Sequence, residues 1–236
     1  MANFHAHLSA ATITSSITAS TALSLQLANQ SEIIALWFLG VLGGLLPDID
    51  SDDSTSVRLV FKMLGMGVAL FFAMWFYPVL SVVGLWLVGA LIFVLVRYAL
   101  LPLFEKVTVH RGSVHSLLAC VMFGLASVQL SVLCGTSIVF AWCAGVFIIM
   151  GMLTHLTLDE IYSVNLADME FKRSFGTALK LFSMDFPLET GAQVIAIVVL
   201  VYFAPSLEPF VTAVGQAEFS FLPVQEWTAL REWVGI

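Results

Sequence analysis

Side chains able to bind a metal ion are concentrated in a few short stretches of this sequence. The stretch GGLLPDIDSDDS, residues 43–54, has four aspartates within six positions. HRGSVHS at residues 110–116 combines two histidines with an arginine, and HLTLDE at residues 155–160 places an aspartate four residues after a histidine. Histidine nitrogens and carboxylate oxygens are ligands for zinc, manganese and iron. We predict a metal site formed by His7, Asp48, Asp50, His110, His115, His155 and Asp159.

The spacing of these residues decides which of them can share one ion. Asp48 and Asp50 cannot lie on one helix face, but a turn after Pro47 can direct both carboxylates at a common ion. His155 and Asp159 are four residues apart, so one helix face presents either two ligands or one histidine oriented by a carboxylate. Taken singly, each residue also has a structural explanation, such as helix capping by the two aspartates. Their combination favours the metal site.

The chemistry that such a site supports is hydrolysis. These ligands suffice for two ions about 3.5 to 4 Å apart, an arrangement typical of enzymes that cleave phosphate esters. We expect one or two divalent ions, with zinc favoured over manganese or iron. Arg111 suits a substrate phosphate, with an ion pair to a loop aspartate as the alternative, and Ser116 either binds a ligand or caps the next helix. The candidate catalytic residues are Arg111, His110 and Asp159.

Membrane helices must position these side chains. Hydrophobic residues make up 60% of the 236 residues, charged residues only 11%, and the mean hydropathy is +0.99, which excludes an ordinary soluble protein. Three cysteines without CxxC spacing indicate neither a disulfide framework nor a thiolate metal site. We predict an all-α membrane bundle of about seven helices, each near the roughly 17 to 25 residues that cross a bilayer. The segments are 8–28, 32–46, 63–79, 80–101, 114–133, 137–155 and 191–206.

Charge distribution predicts how the bundle is oriented. Seven crossings place the N-terminus and the loops 47–62, 102–113 and 156–190 on one side, and Arg231 is the single basic residue expected on the other. By the positive-inside rule the first side, with the metal site, is cytoplasmic. We predict one domain over 1–206 and an extracytoplasmic amphipathic tail over 207–236, with Trp227 and Trp233 at the interface. The basic residues on the cytoplasmic side are Arg58, Lys62, Arg97, Lys106, Arg111, Lys172, Arg173 and Lys180.

The ordered motifs HxHL, LLPDIDSDDS, HRGxxHSLL and GxLxHxxxD, spread over residues 5 to about 180, resemble those of the YdjM-like family. The resemblance implies a bacterial inner-membrane, LexA-regulated, metal-dependent hydrolase whose motif histidines and aspartates fall on the seven predicted ligands. Ser51 stands where family members often have histidine, so either one ligand is missing or Asp52 or Asp53 supplies it. The segment EIYSVNLADMEFKRSFG after Asp159 also departs from the family pattern of a small-residue turn.

Three functions are compatible with these residues. The first is a hydrolase that cleaves a phosphoester in a membrane lipid or lipid-linked substrate, because the ligands lie at head-group depth; no nucleic-acid partner is expected. The second is a metal-ion transporter or sensor, which needs ionisable residues near the middle of the bilayer, where the seven segments have none. The third is a catalytically silent membrane partner with a structural metal. The basic residues Lys172, Arg173 and Lys180 suit either anionic head groups or a positive-inside anchor.

Overall fold

Helices make up almost all of the described chain. The computed structural model describes residues 4–50, 55–77, 79–100, 114–165, 170–171 and 179–217. A short 3-10 helix, Leu46–Asp50, follows α2, and α4 continues into a π-helical turn, Val96–Leu100. Two-residue strands, Val164–Asn165 (β1) and Glu170–Phe171 (β2), pair antiparallel. The α-helices are α1 Phe4–Ser24, α2 Gln30–Gly43, α3 Thr55–Phe76, α4 Val82–Leu95, α5 Leu117–Leu133, α6 Ile138–Ser163, α7 Pro187–Tyr202 and α8 Glu208–Gln216.

The predicted all-α class is confirmed, whereas the number of membrane crossings stays a prediction. Among the described helices, Val82–Ala99 and Ile138–Ser163 are both long and apolar enough to span a bilayer. Gln30–Gly43, Leu117–Leu133 and Pro187–Tyr202 are apolar but shorter. Two predicted boundaries were wrong by eight residues, because α3 begins at Thr55 rather than 63 and α6 continues to Ser163 rather than 155. Hydropathy marks only the apolar part of a helix, and both extensions are more polar.

The hydroxyl groups of α1 form hydrogen bonds within the helix itself. The Thr12 hydroxyl donates to the carbonyl of Leu8 at 2.7 Å, and Ser16, Thr18, Ser20, Thr21 and Ser24 each donate to the carbonyl four residues earlier. This bonding satisfies hydroxyl groups that would otherwise be costly in an apolar environment. The buried face of α1 is a single stripe of His7, Ala11, Ser15, Ala19 and Ala22. Small residues on this stripe let α1 pack closely, with His7 at its end.

Glycines bring the backbones of α2 and α6 into direct contact. A Cβ atom added to Gly43 would lie 3.0 Å from the Cα atom of Ile148. One added to Gly151 would meet the Gly40 carbonyl oxygen and would lie 2.7 Å from the Gly44 nitrogen. Small residues at such positions are the usual means of close approach between membrane helices. The glycines at the end of α2 therefore serve close helix packing.

The sixth helix is the centre of the bundle. It packs against α1, α2, α5 and α8, and the contact with α5 again uses a glycine pair, since a Cβ atom on Gly145 would lie 2.9 Å from the Gly124 oxygen. The α3–α4 hairpin is peripheral. It reaches the core through Phe61 and Val96, which pack with Leu45 and Leu46. The outer face of α4 is apolar and exposed; the side chain of Trp86, for example, is 77% exposed.

The start of the predicted tail lies at the opposite end of α6 from His155. Trp142 donates its indole N–H to the Ser206 carbonyl at 3.2 Å, and Phe210 of α8 packs on the apolar core there. At 1.5 Å per residue, Trp142 and His155 are about 20 Å apart along the helix. The remainder of the tail, with Trp227 and Trp233, lies outside the described residues.

Replacing Gly151 by alanine tests the contact between α2 and α6. The added methyl group meets the backbone of α2, which can yield only if the two helices separate. We expect Gly151→Ala to lower the free energy of unfolding by about 2 kcal/mol, as overpacked cores do, measured as a lower thermal midpoint in detergent. Gly191→Ala in α7 is the control, because a Cβ atom there meets nothing within 4 Å. Equal midpoints for Gly151→Ala and the unmodified chain would contradict this interpretation of the contact.

Candidate metal centre

Four separate parts of the chain bring histidine and aspartate side chains to one end of the bundle. His7 lies in the first turns of α1, Asp48 in the 3-10 helix after α2, and His115 immediately before α5. His155 and Asp159 are one turn apart near the end of α6. His7, His115, His155 and Asp159 are buried, and Asp48 is partly buried. We call these five residues the ligand cluster.

The distances within the ligand cluster are short enough for its members to share an ion. His7 Nε2 lies 3.2 Å from Asp159 Oδ1, and His155 Nε2 lies 3.5 Å from Asp48 Oδ1 and 3.7 Å from Asp159 Oδ2. His115 Nε2 is 3.9 Å from Asp48 Oδ1. Ligand atoms of His7, Asp48 and His155 all lie within 4.8 Å of one another, as do those of His115, His155 and Asp159. The predicted face-sharing of His155 and Asp159 is observed.

The imidazole rings are packed against one another. The His7 and His155 rings are stacked, with centroids 3.7 Å apart and planes inclined by 8°. The His115 ring meets His155 edge-on, with centroids 5.6 Å apart. Because the rings restrict one another's rotation, the nitrogens of His7, His115 and His155 are held in fixed directions. Preorganised ligands of this kind lose little conformational entropy when an ion binds.

A backbone carbonyl sets the tautomer of His155. Its Nδ1 atom lies 2.7 Å from the carbonyl oxygen of Gly44, and a carbonyl can only accept, so Nδ1 carries the proton. In the neutral ring this leaves the Nε2 lone pair directed at Asp48 and Asp159. Histidines that bind metals are typically oriented in this way by a hydrogen bond on the other nitrogen.

The ligand cluster leaves buried nitrogens in need of a partner. Within the described chain, neither His155 Nε2 nor His7 Nδ1 has a hydrogen-bond partner. A buried polar atom without a partner costs roughly 1–3 kcal/mol. Coordination of an ion by His155 Nε2 removes that penalty at this atom, so the cluster fits a divalent metal by donor type, tautomer and burial.

The protonation states of Asp48 and His115 at neutral pH also suit metal binding. Burial by itself raises the pKa of Asp48, but interaction with His155 and the charges of His7 and His115 outweigh it and lower that pKa to about 2. Burial lowers the pKa of His115 to about 4; the charges of His155 and Lys180 act in the same direction, and those of Asp48 and Asp159 oppose it. A carboxylate and a neutral imidazole are the forms that bind metal ions.

His155 can bind only one ion. Both groups of close ligand atoms contain His155, and its Nδ1 atom is occupied by the Gly44 carbonyl, which leaves a single Nε2 lone pair. The expected number of ions, one or two, stays a prediction.

Several predicted site residues lie outside the described part of the chain. His110 and Arg111 are among them, as are Ser51, Asp52 and Asp53. Asp50 belongs to the 3-10 helix, but its side chain is not described. Their roles as ligands or catalytic groups therefore stay predictions. For Ser116 the structure favours the capping alternative, since its hydroxyl accepts a hydrogen bond from the Ala119 amide at 3.2 Å.

Sequence reasoning missed one part of the site. The Gly44 carbonyl orients His155, and it was not among the predicted site residues. A backbone atom leaves no trace in residue type, so the only available signal was the Gly43–Gly44 pair directly before LLPD, which indicated a close helix approach.

Comparison with known proteins agrees with the motifs. Residues 1–167 match the family model described as YdjM inner membrane protein. The matched range contains the whole ligand cluster. No curated protein and no solved structure matches the chain.

The lowered pKa of His115 predicts how acid destabilises the metal-free protein. The unfolded chain binds a proton at about pH 6.5 but the folded chain only at about pH 4, so the free energy of unfolding falls as the pH is lowered through this window. The loss approaches roughly 3 kcal/mol at 1.36 kcal/mol per pKa unit. Asp48 does not contribute here, because its own window lies below pH 3.8.

Thermal midpoints of metal-free protein between pH 7 and 4 measure this effect. His115→Asn should flatten the profile, whereas His5→Asn, which changes an exposed histidine on the same helix end as His7, should leave it unchanged. A His115→Asn profile as steep as that of the unmodified chain would show that another group causes the acid sensitivity.

Proposed function

The chain belongs to the YdjM inner membrane protein family, and from that premise we propose that it is a membrane-bound, metal-dependent hydrolase. The observation that carries the proposal is the ligand cluster, in which three histidines and two aspartates from four parts of the chain converge and His155 is fixed in a metal-binding tautomer. A buried group of this composition has no evident purpose in packing, because apolar residues of similar volume would be more stable there.

Zinc is the favoured ion. Three imidazoles and two carboxylates form a nitrogen and oxygen ligand set typical of catalytic zinc, with manganese or iron as alternatives. Among the described residues the cysteines offer no competing site, since neither group of close ligand atoms contains one. A divalent ion would lower the pKa of a coordinated water to about 7 and polarise a phosphoryl oxygen.

The proposed reaction is hydrolysis of a phosphoester in a lipid or lipid-linked substrate. Water adds to phosphorus, the bond from phosphorus to the alcohol oxygen breaks, and the alcohol leaves with a proton. In this proposal Asp159, which borders both His7 and His155, accepts the proton of the attacking water. Arg111 would bind the phosphoryl oxygens, as its type suggests.

The location of the ligand cluster supports a lipid as the substrate. The cluster lies at the end of apolar helices rather than at their middle, so a site there is at head-group depth in a bilayer. We propose that this end faces the cytoplasm of a bacterium and that the helices cross the inner membrane several times, as the basic residues predict.

The position of the ligand cluster also distinguishes a hydrolase from a metal-ion transporter. An ion pathway needs ionisable groups along the membrane interior, but in the central helix α6 the acidic residues are Asp159 and Glu160, both near its end. The ligand cluster is therefore better suited to a surface reaction than to conduction. A measurement of turnover distinguishes an enzyme from a catalytically silent membrane protein that holds a structural metal.

Metal content is the first test. Purified protein is expected to bind one equivalent of zinc through the described ligands, or two if residues outside them contribute, measured by plasma emission spectrometry and titration. His155→Ala should weaken zinc binding by about 10- to 100-fold, or more, because loss of an orienting partner alone has that effect. His5→Ala is the control and should bind like the unmodified chain. A chain that binds no divalent metal would contradict the proposal.

Turnover is the second test. Metal-loaded protein in mixed micelles is expected to release phosphate or a phosphorylated head group from at least one member of a panel of phospholipids and isoprenoid phosphates. Asp48→Ala and Asp159→Ala should each reduce the rate by at least about 100-fold, as for groups that act in the transition state, while His5→Ala should retain it. Full activity of a metal-stripped preparation would rule out this mechanism.

A further inference from the structure

The segment 179–186, which leads into α7, brings a cation to the ligand cluster. The Lys180 carbonyl accepts a hydrogen bond from the Leu117 amide at 3.0 Å, and the next carbonyl, that of Leu181, accepts one from the Leu118 amide at 3.0 Å. Leu117 comes two residues after His115. The hydrogen bond from Leu117 places Lys180 beside the start of α5, next to the His115 end of the ligand cluster.

The ammonium group of Lys180 is held in place. It donates to the hydroxyl of Ser183 at 3.1 Å, and the Ser183 side chain is enclosed, since the residue is only 1% exposed. The Ser183 carbonyl in turn accepts a hydrogen bond from the Thr190 hydroxyl at 2.8 Å, which ties the segment to α7. An ammonium group has three N–H donors. With Ser183 as its partner within the described chain, two donors remain for a ligand.

The helix amides beside Lys180 already donate hydrogen bonds to other groups of the protein. The amides of Leu117 and Leu118 donate to carbonyl oxygens, and that of Ala119 donates to the Ser116 hydroxyl. An anion at this point would consequently be bound by a side-chain charge rather than by the N-terminus of α5.

Charge balance calls for a cation here. Two carboxylates, Asp48 and Asp159, neutralise one divalent ion, so a phosphoryl group would add negative charge to a largely buried site. Such a charge is costly unless a positive group pairs with it. Within the described chain Lys180 supplies that charge, in addition to the role proposed for Arg111, whereas the side chain of Lys62 on α3 is exposed.

We propose that the Lys180 ammonium group forms an anion subsite beside the ligand cluster and binds the phosphoryl group of the substrate. This inference rests on the proposed function and narrows its substrates to phosphate esters with at least one anionic oxygen. Residue 180 lies beyond the range that matches the family model.

Anion binding to zinc-loaded, full-length protein tests the subsite without relying on turnover. Inorganic phosphate and dioctanoyl phosphatidic acid are titrated separately by calorimetry in detergent. Lys180→Ala should weaken phosphate binding by about 10- to 100-fold, the range for a hydrogen bond to a charged group, and Lys180→Arg should retain most of it. Lys62→Ala removes the same charge from an exposed position and should have no effect. Zinc affinity, unchanged in all variants, shows that each is folded with its ligand cluster intact.

The outcomes separate the two proposals. Weakening of both ligands by Lys180→Ala supports a subsite that a lipid head group can fill, and weakening of inorganic phosphate alone supports a subsite for the free anion. Zinc binding with equal phosphate affinity in Lys180→Ala and the unmodified chain overturns the subsite but leaves the proposed function standing. Equal weakening by Lys62→Ala also overturns it. An unmodified chain that binds no zinc overturns both.

Discussion

The backbone contact between α2 and α6 is the constraint on which the ligand cluster depends. Gly151 meets the backbone of Gly40 and Gly44, and one turn later the His155 ring reaches the Gly44 carbonyl at 2.7 Å. If the two helices were separated by the width of one methyl group, that hydrogen bond would lengthen and the Nε2 lone pair would lose its fixed direction. The stacking of His7 on His155 follows from the same packing, because α1 approaches through its own stripe of small residues.

Polar groups in this protein find their partners in two different ways, locally or from distant parts of the chain. Hydroxyl groups along α1 are satisfied locally by carbonyls four residues earlier and require nothing from the rest of the fold. The imidazoles and carboxylates of the ligand cluster instead depend on partners from distant parts of the chain. Their burial lowers the pKa of His115 and leaves His155 Nε2 without a hydrogen-bond partner in the described chain. Both features would suit a divalent ion, since such an ion binds neutral imidazoles and compensates buried carboxylates.

The family match covers the ligand cluster but not the segment that carries Lys180. The match ends at residue 167 and includes every member of the ligand cluster, together with the glycines that position it. The segment carrying Lys180 and the helices α7 and α8 lie beyond this range, although the segment is hydrogen-bonded to the start of α5.

The sequence by itself determined the helical class, the membrane character and the residue types of the candidate site, because hydropathy, composition and the i, i+4 spacing of His155 and Asp159 are local properties. It could not determine where α3 begins or α6 ends, because polar residues continue both helices beyond their apolar parts. Nor could it show which ligands converge, since His7, Asp48 and His115 meet His155 only through contacts between helices. The tertiary structure decided which nitrogen of His155 faces the cluster, because this depends on the Gly44 carbonyl, a backbone atom whose position is set by how closely two helices pack.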